Sequence, residues 1–293
     1  MRFSSSCRMV SLLAAMLTFS LSLCAQEAMP AKPPAAEQMA AGDVAAAAEA
    51  ALEKEVQNPV SELISVPLQN NTNFAYGPYS RTQNVLNIQP VIPINLNENW
   101  MIKSRTILPL GWQPYAGQTA GGDYGLGDMT QTFFLSPRHS HGLSWGIGPA
   151  FIIPTATSNL LGQGKFSLGP SIVALAQPGH WTVGALINNL WSVAGSGGRP
   201  PVNQMQLQAF VVYQMKKGWY VTTSPILGAD WRASNGNVWT VPLGGGVGRI
   251  TRMGPQRVNL TAQLYGNAAY PAGTSPWSMR LQLDLLFPKG PKE

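Results

Sequence analysis

Three histidines are the residues best able to hold a metal ion or act as a general base. His139 and His141 form an H-x-H in "PRHSHG", and His180 follows "QPG". Strand residues two apart share a face, so two such rings can reach one metal ion. No carboxylate or third histidine accompanies them, so all three read as turn residues and no metal is expected. "LGQGKFS" offers a Gly-Lys pair, but the P-loop glycine five before Gly164 is Asn159. "LGGGVGRI" lacks a glycine three after Gly246 and sits in a strand pattern, so the dinucleotide fingerprint fails as well. A serine hydrolase needs a Ser–His pair with an orienting group. The chain has no G-x-S-x-G. Both cysteines, Cys7 and Cys24, precede residue 26. No enzyme and no cofactor is expected.

The charged residues carry more information. Lys103 and Arg105 share the face opposite Trp100 and Trp112; Arg280 and Asp284 share the face opposite Leu281 and Leu283. Asp128 and Asp230 hold comparable positions near the ends of their segments. If these segments cross a membrane as strands, a charge facing lipid at mid-depth costs roughly 2–4 kcal/mol, so all six should point into a lumen. Two readings stay open. The six fill a narrow barrel as structural ion pairs, or they line a pore with opposed basic and acidic walls.

The elements that would position them are legible as alternation. The chain ends "SMRLQLDLLFPKGPKE", where Met279, Leu281, Leu283, Leu285 and Phe287 alternate with Ser278, Arg280, Gln282 and Asp284. Twelve such segments run from Leu63 to Phe287, separated by turn chemistry. In the eighth, Met205, Leu207, Ala209, Val211 and Tyr213 oppose Gln204, Gln206, Gln208 and Gln214. Connectors alternate in length: "NEN", "PRHSH", "QPG", "KKG" and "TRMGPQ" are short, whereas "FAYGPYSRT", "QPYAGQTAGGD", "TATSNLLGQG" and "SGGRPPV" are longer. Outer-membrane barrels have short periplasmic turns and longer outer loops.

Aromatic spacing gives a check in ångströms. Trp100 and Trp112, like Trp219 and Trp231, lie twelve apart; Trp181 and Trp191, like Trp277 and Phe287, lie ten apart. At ~3.3 Å per residue and ~40° tilt, that spans roughly 25–30 Å, the separation of two aromatic girdles. Phe287 is then the lower-girdle aromatic of the last strand, the end expected to engage the outer-membrane assembly machinery. Asn189 and Gln131 fall on the lipid side of this pattern. Prolines 90, 93, 149, 170, 225 and 242 fall inside strands, where a missing N–H breaks a ladder.

Composition agrees. Only 11% of the 293 residues are charged, against about 25% in ordinary soluble proteins. "MRFSSSCRMVSLLAAMLTFSLSLCAQ" reads as a cleaved signal peptide, residues 1–25. Residues 26–60 are an Ala- and Pro-rich periplasmic linker whose part from Gly42 to Val56 reads as a helix with Asp43 as N-cap, ended by Pro59. A tether is the preferred reading of it, a plug or docking helix the alternative. Residues 61–288 form the barrel and 289–293 a tail. Residues 26–57 hold six acids and two bases; residues 58–293 hold seven acids and fifteen bases. The bases are scattered at segment ends, not clustered with aromatics as a nucleic-acid surface would be. They read as solvated strand ends facing anionic lipid or solute.

"NPVSELISVPLQNNTNF", "RTQNVLNIQPVIPINLNENW", "GLGDMTQTFFLSP", "GPAFIIPTAT", "LGQGKFSLGPS" and "WTVPLGGGVGR" resemble the outer-membrane proteins of the "MetA-pathway of phenol degradation" family, whose members are often labelled "transporter" or, misleadingly, "neuromedin U". The resemblance covers residues 58–288. It implies a barrel passing small, aromatic or hydrophobic solutes, and it supplies no site residues. The expectation is an all-β, antiparallel outer-membrane β-barrel of about twelve strands with a short N-terminal helical periplasmic segment. Its function is expected to be passive passage of a small-molecule solute. The competing class is a closed structural or adhesive barrel that binds a partner through its outer loops. Expected partners are outer-membrane lipid and the assembly machinery, with no nucleic acid.

Overall fold

A computed structural model describes residues 49–140, 142–234 and 236–288. The expected signal peptide and the rest of residues 1–48, with Asp43, lie outside the described residues, as do His141, Asn235 and residues 289–293.

Twelve strands form the sheet. They are β1 (Ile64–Tyr76), β2 (Arg81–Ile88, resuming at Val91–Asn95), β3 (Trp100–Pro114), β4 (Gly122–Leu126, resuming at Met129–Pro137), β5 (Leu143–Ile153) and β6 (Lys165–Ala176). Then follow β7 (Trp181–Gly195), β8 (Asn203–Gln214), β9 (Trp219–Thr223, resuming at Ile226–Asp230), β10 (Trp239–Met253), β11 (Gln256–Ala269) and β12 (Trp277–Phe287). Each pairs antiparallel with its sequence neighbours, and β12 returns to β1 from Ile64↔Phe287 to Phe74↔Trp277. That last ladder closes the barrel and removes both sheet edges.

Pro93 pairs with Lys103 inside an unbroken ladder, whereas Pro90, Pro149, Pro170, Pro225 and Pro242 mark irregular places. β2 breaks at Gln89-Pro90 and β9 at Ser224-Pro225. Pro242 sits at a register shift between β10 and β11. Pro149 and Pro170 stand opposite each other on β5 and β6. Each lacks the N–H that a continuous ladder needs. The first outer connector is shorter than "FAYGPYSRT" implies. β1 extends to Tyr76 and β2 begins at Arg81, leaving a turn of residues 77–80.

The outer face is apolar between two aromatic levels. Trp100, Trp181, Trp219 and Phe287 are exposed at the end that carries the short turns. Trp191, Trp231 and Trp277 are exposed at the other; Trp112, beside Gly122, is half-buried. Aromatic neighbours outside the spacing pattern pair with them. Trp145 packs edge-on to Trp100 at 6.0 Å, Trp239 edge-on to Trp231 at 5.5 Å, and Phe74 stacks on Trp277 at 4.0 Å. Asn189 and Gln131 face outward as expected, but neither is left unpaired. Asn189 Oδ1 accepts the Trp231 Nε1–H at 2.7 Å and its Nδ2 donates to Asn203 at 3.0 Å. Gln131 accepts from Thr106 Oγ1 at 2.6 Å and donates to Ser104 Oγ at 3.0 Å. Hydrocarbon offers no partner, so these polar groups satisfy one another.

Residues 49–56 are helical. Leu52 and Val56, four apart and so on one helix face, pack on a cluster made by Leu63, Val212, Tyr220, Ile250 and Leu286. Val60 packs with Phe134, Val173, Leu175 and Leu186. The barrel residues in both clusters point inward, so residues 49–63 lie inside the short-turn mouth. Glu62 pairs with Arg138 at 2.7 Å, and Gln177 Nε2 donates to the Lys54 carbonyl at 2.8 Å. Of the two readings of this segment, the docked one describes residues 49–63.

Candidate functional site

Alternation along β1, β11 and β12 turns Gln69, Asn71, Asn259, Thr261, Gln263, Arg280, Gln282 and Asp284 inward, opposite one another in register. β2 and β3 add Gln89, Lys103 and Arg105. The structure thus brings four of the six charges predicted from sequence to the middle of the lumen, where each is largely buried.

Their partners are not apparent from sequence. Arg105 Nη2 donates to Gln89 Oε1 at 2.8 Å, Gln89 Nε2 to Gln69 Oε1 at 3.0 Å, and Gln69 Nε2 to Gln282 Oε1 at 2.9 Å. Gln282 Nε2 then donates to Asp284 Oδ1 at 2.7 Å. From the other side, Tyr220 Oη donates to Asn259 Oδ1 at 2.7 Å, and Asn259 Nδ2 to Asp284 Oδ2 at 2.8 Å. Every donor in the chain points toward the carboxylate. Arg105 and Asp284 are therefore joined without touching, through three polarised amides. Arg280 belongs to a second group: it donates to Asn71 Oδ1 at 3.0 Å and to the Ser224 carbonyl at 2.9 Å, and lies 5.2 Å over the Tyr265 ring. A sequence signal for these glutamines does exist, since inward positions on adjacent strands repeat Gln or Asn.

The two remaining aspartates act elsewhere. Asp128 sits at the break in β4, and its carboxylate accepts the backbone N–H groups of Ala156 at 3.2 Å and Gln163 at 2.5 Å. Asp230 is exposed at the end of β9 and accepts the Arg232 N–H at 3.0 Å, capping its own turn. Neither joins the mid-lumen group.

Asp128 instead holds a loop. Residues 154–164, between β5 and β6, fold over the inward glycines of β3 and β4. A Cβ on Gly125 would collide with Thr157 Oγ1 and stand 3.3 Å from Leu161 Cδ1; one on Gly111 would stand 3.6 Å from Leu161 Cδ2. Glycine is required at 125 because the loop comes this close. Thr157 pairs with the Leu126 backbone at 3.0 Å. Arg199, from the loop between β7 and β8, clasps the far side by donating to the carbonyls of Asn159 (2.8 Å), Gly162 and Gln163 (3.2 Å). Ser158 donates to Asp123, which also accepts from Tyr115 Oη at 2.7 Å. Loop 154–164 narrows the outer half of the lumen.

A cavity of about 220 Å³ remains between the docked segment and the polar wall. Gln69, Gln89, Arg105, Asn259, Gln282 and Asp284 bound one side of it, and Phe134, Leu186, Phe210 and Val212 the other. Phe210 and Val212 interrupt the polar face of β8, because residues 56–63 cover them.

Among the described residues no three of His, Cys, Asp and Glu gather as a metal site. His180 lies 6.2 Å from the Tyr213 ring at the short-turn end.

No protein-family profile and no curated protein matches this chain. Among solved structures it is similar to the COG4313 outer membrane channel from Pseudomonas putida F1, with a TM-score of 0.60 and 16% identity over 78% of this chain and 97% of that one. Outer membrane phospholipase A from Escherichia coli aligns over 76% of this chain and 90% of its own, with a TM-score of 0.44 and 10% identity. The first likeness shows the fold, and with the closed ladder and lipid-facing girdles it identifies the chain as a twelve-stranded outer-membrane β-barrel.

Proposed function

We propose that the barrel is a passive channel for small solutes, with Lys103, Arg105, Arg280 and Asp284 lining its narrow part. The observation that carries this reading is the cavity. Its amide and hydroxyl wall is hydrogen-bonded within itself, so the cost of buried polarity is met without a solute, while space remains beside it. A barrel serving only as a scaffold gains more by filling such space with hydrocarbon. The printed description of the COG4313 protein as a channel adds support. The resemblance to the MetA-pathway family extends the proposal to aromatic or hydrophobic solutes, for which the Phe134–Phe210 wall is suited. Residues 49–63 and loop 154–164 set how much of the lumen is open, and Asp128 acts by holding the loop. Phe287 closes the strand offered to the assembly machinery.

The closed structural barrel keeps one observation in its favour: Arg280 bridges β12 to the Ser224 break in β9. Proteoliposome swelling separates the two. Vesicles carrying the mature chain are expected to swell in isosmotic glycerol and not in a disaccharide. No swelling from a chain that shows the heat-modifiable gel mobility of a folded barrel would sink the channel reading.

A further inference from the structure

We propose that the outer face around Arg249 and the turn between β8 and β9 is a binding site for the headgroup of an anionic phospholipid in the periplasmic leaflet. Arg249 lies on the outward face of β10, directly opposite Trp219 in the ladder, and its guanidinium stands 5.2 Å over the indole. Trp219 is a girdle residue at the short-turn end, so Arg249 sits at headgroup depth. Among the described residues Arg249 makes no hydrogen bond and no ion pair; the indole face is its one partner. A guanidinium held flat on an aromatic ring keeps its N–H fork free for a planar or tetrahedral anion.

Two more cations lie in the adjoining turn. Lys216 and Lys217 are exposed in the turn that leads into Trp219, and Lys217 takes φ +61°. The turn is pressed against β10 at Ile250, the residue after Arg249, because a Cβ on Gly218 would collide with the Ile250 carbonyl. Val221 and Val247, the next outward pair along the ladder from Trp219 and Arg249, are exposed alongside with Tyr213 opposite Val221, apolar surface at the height of the first acyl carbons. The acids of this end face the mouth of the barrel: Glu53, on the docked helix, takes the Gly218 N–H from the inner side of the turn. Glu49 reaches Arg257 at 3.9 Å and Glu62 pairs with Arg138, both at the inner rim of the mouth. Charge and position together fit a phosphodiester with its glycerol side toward Val221 and Val247, and a lipid is the one anion that the membrane itself delivers to this depth.

Native mass spectrometry of the full mature chain, released from detergent with equal phosphatidylglycerol and phosphatidylethanolamine, tests this. The wild type is expected to retain phosphatidylglycerol about fivefold over phosphatidylethanolamine, the order expected for one basic residue at a membrane surface. Arg249→Gln and the pair Lys216→Gln/Lys217→Gln are each expected to remove that preference, and Arg252→Gln to leave it. Excess inorganic phosphate is expected not to compete. Equal retention of both lipids by the wild type, or an unchanged preference in a folded Arg249→Gln chain, overturns the proposal. Displacement of the lipid by free phosphate or by an acidic peptide also overturns it, since the site would then serve a soluble anion. A barrel that does not conduct leaves these outcomes unaffected.

Discussion

Arg105 on β3 and Asp284 on β12 are joined without touching by Gln89, Gln69 and Gln282, each amide donating in the direction of the carboxylate. The arrangement lets two opposite charges share a narrow lumen without collapsing across it. A direct salt bridge would draw the walls together and fill the cavity; a chain of amides runs around the wall and leaves the cavity beside it.

Cutting that chain should cost stability as well as selectivity. Gln69→Leu removes the donor to Gln282 and the acceptor for Gln89, leaving two buried amides short of partners, with an expected loss of about 2–4 kcal/mol. Urea unfolding in lipid vesicles measures it. Gln208→Leu, on the lumen face of β8 and outside the chain, is the control and should cost less than half as much.

Loop 154–164 should behave as the outer constriction. Asp128→Ala removes the acceptor of two backbone N–H groups, and Arg199→Ala removes the clasp on three carbonyls. Each is expected to raise single-channel conductance about twofold or more, because released backbone groups solvate in water and the loop leaves the lumen. An unchanged conductance in both variants would show that the loop does not limit flow.

The docked helix should respond to pH through Glu53. Burial raises its carboxyl above the usual value and Glu49 pushes the same way, against the Gly218 N–H and the charge of His180. A raised value in the docked state means that docking is fully favoured below the ordinary carboxylate pKa and weakens as pH rises through the raised one. A spin label at Val56 should therefore become more mobile between pH 4 and neutrality in the wild type. In Glu53→Gln the mobility should stay flat over that range.

On the lipid face, Trp231→Phe should cost about 1–2 kcal/mol, because Asn189 Oδ1 then loses its indole donor in a region with little water. Asn189→Leu on the Trp231→Phe background should restore most of that loss. Thermal unfolding of the three variants tests the pair as a cycle.

Much of this barrel is readable from residue order alone. The alternation of β12 places Arg280, Gln282 and Asp284 on one face with no further information, and the tryptophan intervals set the girdles. What residue order hides is whatever depends on strands meeting across the lumen. Nothing in "TATSNLLGQG" says that Leu161 will rest on Gly111 and Gly125, since those glycines are far away in order and adjacent only once the sheet closes. Leu52 and Val60 are two apolar residues in an Ala-rich stretch, too sparse to read as a docking face. Phe210 and Val212 break the polar run of β8, and that break is the trace of the docked segment. The prolines are legible as trouble but not as the breaks at Gln89, Ser224 and Val241 that they produce.

Passage of solute through the lumen beside this polar wall is tested most directly by planar-bilayer recording of the refolded barrel, with ion selectivity measured before and after Arg105→Gln. Discrete conductance steps are expected, with a shift toward cation selectivity when the Arg105 charge is removed. A folded barrel that never conducts, or one whose selectivity is unmoved by that change, would contradict a lumen lined by Arg105 as the route.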